Sequence, residues 1–441
     1  MSDAARPAAV VFFARDFLSV EHPKMAGAFP GLARVYLVMN PREAETVRQH
    51  DAQATVIRVG EALGDADAAG LEDAEAIGRD RTLRFAPPQD IAASRRAVAG
   101  ACEAVLSRFT PAFYVDEPVS GYANEMFNRR FAASGATCLH FQSAWLPGHL
   151  FFVRDAAQGE PVELNLLSGS ANAVREHLRL RAEGLARPTY VLSYGNPLRR
   201  VKDIAITLAK ALWRKLFRRK APWIDRDTTA HLFHARCLWG SLTGRYSPDP
   251  ASDPGDARYL LFPLHYEPES LLSYFSRFYR QEDIANRILD SLPAGWRLIL
   301  KEHPSQPGAL MLPKWAGLRA SGRVLVLPGT YPSARLMPLK PVVVSLGSTL
   351  ALEAAVAGCP VGVLGGVHFR HAPGVVALDA PEDWHRVLDS EPGSAEAIAV
   401  WYADFLDRHC FKGNLMRGQT WFEDLPALGG ALATARDRLK G

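Results

Sequence analysis

Cysteine is scarce in this chain. Five are scattered over 441 residues (Cys102, Cys138, Cys237, Cys359 and Cys410), and no two form a Cys-x-x-Cys pair. An odd, dispersed set argues against a disulfide framework or a thiolate zinc site and for a reducing compartment. Excess charge is also lacking: 51 Lys and Arg stand against 47 Asp and Glu, a net charge of +4. With no repeat of basic and aromatic residues, nothing marks a nucleic-acid binder. The start, MSDAARPAAVVFFARDF, carries an early acid and lacks a basic segment followed by a long apolar one. No secretory signal is expected from it. A long uninterrupted apolar run is missing too. The longest such region, 342–367, is broken by Glu353 and several glycines, which fits a buried strand-helix-strand unit rather than a membrane span.

The remaining composition, 48% hydrophobic and 22% charged, is that of an ordinary globular protein, and the length implies two or three domains. Apolar β-branched runs at 8–13, 35–39, 55–59, 113–115 and 137–141 read as strands. Helical spacing lies between them at 41–50, 88–108 and 121–134. Alternating helices and buried strands mean a parallel α/β sheet, here over 1–165. From 166 to 255 the chain is rich in Arg and Lys and mostly helical in pattern, with Tyr190-Val191-Leu192 its one strand-like run. A second α/β unit over 256–393 has strands at 259–262, 297–300, 323–327, 342–345 and 361–364 and a helix near 276–291. Residues 394–441 read as C-terminal helices packing back across the domains. The expected fold class is thus α/β, with two Rossmann-type domains, a helical connector and C-terminal helices.

The most informative stretch is 341–366, PVVVSLGSTLALEAAVAGCPVGVLGG. A strand ends at Ser345, a Gly-Ser-Thr turn follows, and a helix carrying Glu353 runs to Gly358. The amides of Gly347, Ser348 and Thr349 would sit at a helix N-terminus, where unpaired N–H groups and the helix dipole favour an anion. The same turn also serves as a plain helix cap. Upstream, the strand Leu298–Leu300 runs into Lys301-Glu302-His303-Pro304. Ligands of open α/β sheets lie beyond the carboxyl ends of the strands. The loops after Val115, Phe262, Leu300 and Val344 all lie there.

Taken in order, these residues resemble a known family. Phe262-Pro263-Leu264-His265-Tyr266-Glu267-Pro268-Glu269, Gln281, Leu292-Pro293, Lys301-Glu302-His303-Pro304 and Ser345-Leu346-Gly347-Ser348-Thr349 with Glu353-Ala354 are similar to the capsule polysaccharide biosynthesis proteins. That family includes the Kdo transferases that build the lipid-linked anchor of bacterial capsules. The likeness covers roughly 259–366, and it is looser in the N-terminal half. It implies a cytoplasmic GT-B glycosyltransferase, two Rossmann-like domains facing across a cleft, using a CMP-activated acidic sugar without a metal or other cofactor. Bacterial sialyl- and polysialyltransferases look similar in their His-Pro and Ser-Ser/Thr signatures. Their acidic motif is two acids followed by glycine, whereas Asp116-Glu117 precedes Pro118 here, so the choice of base between the two stays open.

On that reading the N-terminal domain binds the acceptor, a glycan or a lipid-linked glycan, and Asp116 or Glu117 takes the proton of its hydroxyl. An N-cap role for the helix at 121–134 is the competing use of these acids. His303 stabilises the leaving phosphate, in a loop fixed by Pro304. Lys301, Gly347, Ser348 and Thr349 join it in binding the donor, and Glu353 reaches a ribose hydroxyl or serves as an ion-paired acid. His265 and Glu269 contact base, ribose or the donor carboxylate. His22-Pro23 is a decoy without a strand to deliver it. The acid-x-acid forms Asp65-Ala66-Asp67 and Asp225-Arg226-Asp227 follow no apolar strand and read as chance rather than as metal sites. Ile204, Leu208, Leu212 and Leu216 recur every four residues among Lys210, Arg214, Lys215, Arg218, Arg219 and Lys220. Such a basic amphipathic helix over 202–220 either lies on the inner face of the inner membrane or packs on the domain with its basic face solvated. Three other functions stay open: a nucleotide-sugar 2-epimerase, a polyol-phosphate transferase and a non-catalytic scaffold of capsule assembly.

Overall fold

The computed structural model describes residues 6–61, 73–80, 83–117, 121–155, 159–182, 228–252, 257–267, 280–416 and 418–440, with isolated positions in 198–216 and 276–278. Its contacts divide the chain into two units. The first holds 1–170, 222–225 and 404–441, and the second 171–221 and 226–403.

The first unit opens with β1 (Ala8–Phe13), β2 (Ala33–Val38), β3 (Thr55–Arg58), β4 (Thr110–Asp116), β5 (Thr137–Ser143), β6 (His149–Asp155) and β7 (Glu160–Pro161). β1 lies between β2 and β4, and the pairs from β3 through β2, β1 and β4 to β5 are all parallel. Side chains alternate across such a sheet. Val10 and Phe12 enter one apolar core, and Ala9, Val11 and Phe13 enter the other. Burial on both faces explains why β1 reads as an unbroken apolar run. The helix Pro41–His50 starts where the sequence places it, because Asn40 accepts the Glu43 amide and proline fills the first helical position.

The second unit contributes β8 (Arg258–Pro263), β9 (Trp296–Lys301), β10 (Val324–Leu327), β11 (Val342–Ser345), β12 (Val361–Val363) and β13 (Val375–Ala377). Their order is β10-β9-β8-β11-β12-β13, and every pair is parallel. Renumbered within the unit this is 3-2-1-4-5-6, the doubly wound Rossmann order. The fold class is therefore α/β with a Rossmann-type sheet in each unit.

Two features depart from the sequence reading. The segment 394–441 is not wholly helical. After the helix Ala395–His409 the chain forms β14 (Cys410–Asn414) and β15 (Trp421–Phe422), and only then the helix Leu425–Lys440. β14 pairs antiparallel with β6, and β6 pairs antiparallel with β5, so the first sheet is mixed rather than wholly parallel. A strand partner 259 positions away in sequence, Cys410 against Phe151, is a tertiary determinant that local pattern does not contain. The strand-like run at 190–192 lies outside the described residues.

His22 is a core histidine, as expected of a decoy. It lies in the helix Leu18–Met25, is fully buried, and neither ring nitrogen has a hydrogen bond. Phe12 and Phe141 flank it at 5.4 and 5.7 Å between ring centroids. Burial, helped by the nearby Arg15 charge, lowers its pKa from 6.5 to about 3. The folded state thus holds it neutral while the unfolded chain takes up a proton below 6.5. Its contribution to stability is complete above pH 6.5 and is lost as pH falls from 6.5 toward 3. His22→Phe should flatten the fall of the melting temperature between pH 6.5 and 4, read by thermal unfolding at several pH values. An unchanged slope would refute this role.

Candidate functional site

In the second unit the chain starts at β8, winds outward to β10, and returns to β11 on the other side of β8. The strand order therefore reverses between β8 and β11, where open α/β sheets bind ligands beyond the strand ends. His265 follows β8, His303 follows the neighbouring β9, and the Gly-Ser-Thr turn follows β11.

The His265 loop is held by two buried glutamines. Gln281 accepts the His265 amide at 2.7 Å and donates to Glu267 Oε1 at 2.9 Å. Gln306 accepts the Glu267 amide at 2.9 Å and donates to the Glu267 carbonyl at 2.7 Å. Lys314 adds ion pairs to Glu267 and Glu282. His265 itself is buried, and burial with the nearby His303 takes its pKa to about 3. Glu269, expected in the same loop, lies outside the described residues.

Glu302 is an anchor rather than part of a surface turn. Its buried carboxylate accepts from the amides of Gly308 and Leu310 and from the Tyr246 hydroxyl, each at 2.9 Å. His303 is thereby placed on a rigid loop. Its Nδ1 accepts the Ser305 amide at 3.1 Å, and burial, with Lys301 close by, lowers its pKa to about 4. A neutral imidazole whose Nδ1 is an acceptor carries its proton on Nε2. His303 is therefore built as a neutral N–H donor. The next turn of chain allows a close approach: a Cβ on Gly329 would meet the His303 carbonyl at 2.6 Å. The Gly329 carbonyl in turn accepts from the buried Lys301 ammonium at 3.1 Å. Burial lowers the Lys301 pKa to about 8, against the pull of Glu353 and Glu302, so its charge is largely kept at neutral pH.

The Gly-Ser-Thr turn differs from the expectation of open amides. Ser345 Oγ, at the end of β11, accepts the amides of Gly347 and Ser348 at 3.1 and 2.9 Å. A strand-end serine satisfies its own turn in this way, so these two N–H groups are already in use. Ser348 caps the helix Thr349–Val356 by accepting the Leu350 amide, which leaves its O–H proton to donate. The turn thus offers an anion the Ser348 hydroxyl, the exposed Thr349 and the helix dipole. Glu353, one turn further, is half-buried and ion-paired with Arg181 of the helix Ala171–Ala182. Burial raises its pKa, opposed by Arg181 and Lys301. Arg181 was not foreseen, and only the basic character of its segment hinted at it.

In the first unit the reversal of strand order falls between β1 and β4. Asp116 closes β4 and is 1% exposed. Its Oδ2 accepts from the Tyr114 hydroxyl at 2.8 Å and from Asn124 at 2.6 Å, while Oδ1 has no hydrogen bond. Burial raises its pKa from 3.8 to about 7, against those two donors and the charge of Arg15. Glu117 is only partly buried, and its carbonyl accepts weakly from Asn124 at 3.4 Å. Glycine at position 121 has no side chain to cap the helix Tyr122–Ala133, and the Tyr122 amide at its start donates to Asp80 Oδ2 at 2.6 Å.

Among the described residues, no three His, Cys, Asp or Glu side chains are grouped as a metal site requires. Asp65-Ala66-Asp67 and Asp225-Arg226-Asp227 lie outside those residues. Among the described residues no helix is long and apolar enough to cross a membrane.

No family model and no curated protein matches the chain. Solved structures similar to it include the KpsC β-Kdo 2,7 transferase of Thermosulfurimonas dismutans, at 9% identity and a TM-score of 0.36 over 92% of this chain and 99% of that one. The wall teichoic acid polymerase TagF aligns at 11% identity and a TM-score of 0.24 over 98% of this chain and 89% of its own. The UDP-GlcNAc 2-epimerase of Neisseria meningitidis aligns at 12% identity and a TM-score of 0.24 over 98% and 100%. Values this low assign no activity to this chain.

Proposed function

We propose that the protein is an inverting, metal-independent glycosyltransferase of capsule or surface polysaccharide synthesis. It transfers a Kdo-like or sialic-acid-like sugar from its CMP derivative to a glycan or lipid-linked glycan. The observation that carries this reading is the construction of His303. A neutral Nε2–H donor, held by Ser305 and backed by the Lys301 cation, stands at a strand end of a Rossmann sheet beside the strand-order reversal. That is chemistry for a leaving phosphate. Ser348 and Thr349 add hydroxyls and a helix N-terminus for the same group. Glu353, steadied by Arg181, suits a ribose hydroxyl, and His265 in its stapled loop suits the base or the donor carboxylate.

Acceptor activation falls to Asp116. A buried carboxylate with a pKa of about 7 and one oxygen without a hydrogen bond is tuned for a general base. One base and one displacement give inversion. The enzyme works at the cytoplasmic face, and peripheral membrane contact through 202–220 is part of this reading. Its support is that the described apolar side chains there are exposed, Leu212, Trp213 and Leu216 among them.

The test is a transfer assay with CMP-Kdo and CMP-sialic acid on an anionic glycolipid acceptor, with product configuration read by NMR. Inversion unaffected by EDTA is expected. Retention, or loss of activity in EDTA, would overturn the mechanism.

A further inference from the structure

The helix Thr228–Thr243 leaves two large apolar side chains in the open: Trp239 is 63% exposed and Leu242 36%. Beside this helix, facing the segment Met311–Pro313, lies a cavity of about 890 Å³. Leu208, Ala235, Trp239, Met311, Leu312 and Pro313 supply its apolar wall. The wall is fixed. A Cβ on Gly240 would meet Met311 Cβ at 2.8 Å, so glycine lets Met311 seat on the helix. Arg319 ties the opposite side by donating to the carbonyls of Leu310 and Leu312.

Among the described residues that line the cavity, the charged ones are Arg236, Arg245 and Arg319, and none is an acid. Arg236 and Arg245 are exposed, and among the described residues neither has an ion pair. Leu208 is itself 45% exposed, and Leu212 and Leu216 further along the same stretch are 58% and 54% exposed. Exposed apolar surface rimmed by charge marks an interaction site. A volume of this size holds a chain-like ligand, and the arginines select for an anion.

We propose that this cavity binds the alkyl chain of a single-chain anionic amphiphile drawn from a membrane, with Arg236 and Arg245 taking its headgroup. The site is separate from the sugar-donor site of the same unit, and the proposal does not depend on the transfer reading.

The test is calorimetry of the full chain with dodecyl phosphate below its micelle concentration. Decyl phosphate, dodecyl maltoside and inorganic phosphate serve as the other arms. Dodecyl phosphate should bind saturably and one to one. Decyl phosphate should bind about fifteenfold more weakly, since it lacks two methylenes and each buried one is worth about fourfold. The maltoside should bind at least tenfold more weakly, and inorganic phosphate should not compete. Thr243→Trp, which puts an indole into the cavity, and Arg236→Glu with Arg245→Glu should each weaken binding at least tenfold. Both variants should keep the nucleotide affinity of the native chain, which separates this site from the donor site. Should the tryptophan variant fail to fold, the exposed arginine variant carries the test. Non-saturable binding, equal affinity for maltoside and phosphate, competition by inorganic phosphate, or insensitivity to the arginine variant would each overturn the proposal.

Discussion

Asp116→Asn lowers the transfer rate by about 10²–10⁴-fold, the range for loss of a general base, and leaves nucleotide binding unchanged. Two further measurements distinguish a base from a structural acid. The first is the pH profile. With its pKa raised to about 7, Asp116 becomes the active carboxylate only as pH rises through 7. The native kcat/KM should climb to a plateau above that value, and the residual activity of the variant should lack this limb. The second is stability. A carboxylate whose folded pKa exceeds its unfolded one stabilises the fold when protonated, and that contribution is lost as pH rises from about 4 to about 7. The native protein should therefore lose melting temperature relative to Asp116→Asn between pH 5 and 8. A variant that is both slower and, at alkaline pH, more stable is the expected signature of a strained functional group. Full activity in Asp116→Asn would move the role of base to Glu117.

His303→Ala should cost about 10²–10³-fold in rate, the effect of removing one donor from a developing anion, and CMP should bind at least tenfold more weakly. The loss arises at the donor, so it should appear in nucleotide affinity as well as in rate, unlike that of Asp116→Asn. With a pKa of about 4 in the free protein, His303 is neutral across the working range and should add no inflection between pH 5 and 9. His303→Gln, which keeps an N–H donor, should recover part of the loss. A scaffold protein would be indifferent to all of these changes.

The parts of the site legible in the sequence are those fixed by local pattern. Val342–Ser345 is an apolar β-branched run cut off by a small polar residue, so strand, turn and helix follow one another without ambiguity. His303 and His265 were placed for the same reason, each just past a buried strand. The charges and hydrogen bonds that tune the site were not legible. Arg181 meets Glu353 across 172 positions, and no periodicity announces a contact of that range. Nothing in the local sequence marks Gln306, whose amide binds the Glu267 backbone at both ends. The Gly347 and Ser348 amides looked available because the strand-end Ser345 was read as the edge of the strand, not as the acceptor of its own turn. Fold-level misses have the same origin. β14 exists because β6 offers it a partner, and Cys410–Asn414 alone carries little strand signal.

The proposed transferase activity requires that the second unit bind CMP. Calorimetry of CMP, UDP, GDP and CDP against the native chain, with and without EDTA and repeated with His303→Ala, decides it. The account predicts that CMP binds best, that EDTA changes nothing and that the variant loses the interaction. A preference for UDP would point to an epimerase or a UDP-sugar transferase, and a preference for CDP to a polyol-phosphate transferase. Absence of any nucleotide binding would contradict the enzyme reading itself.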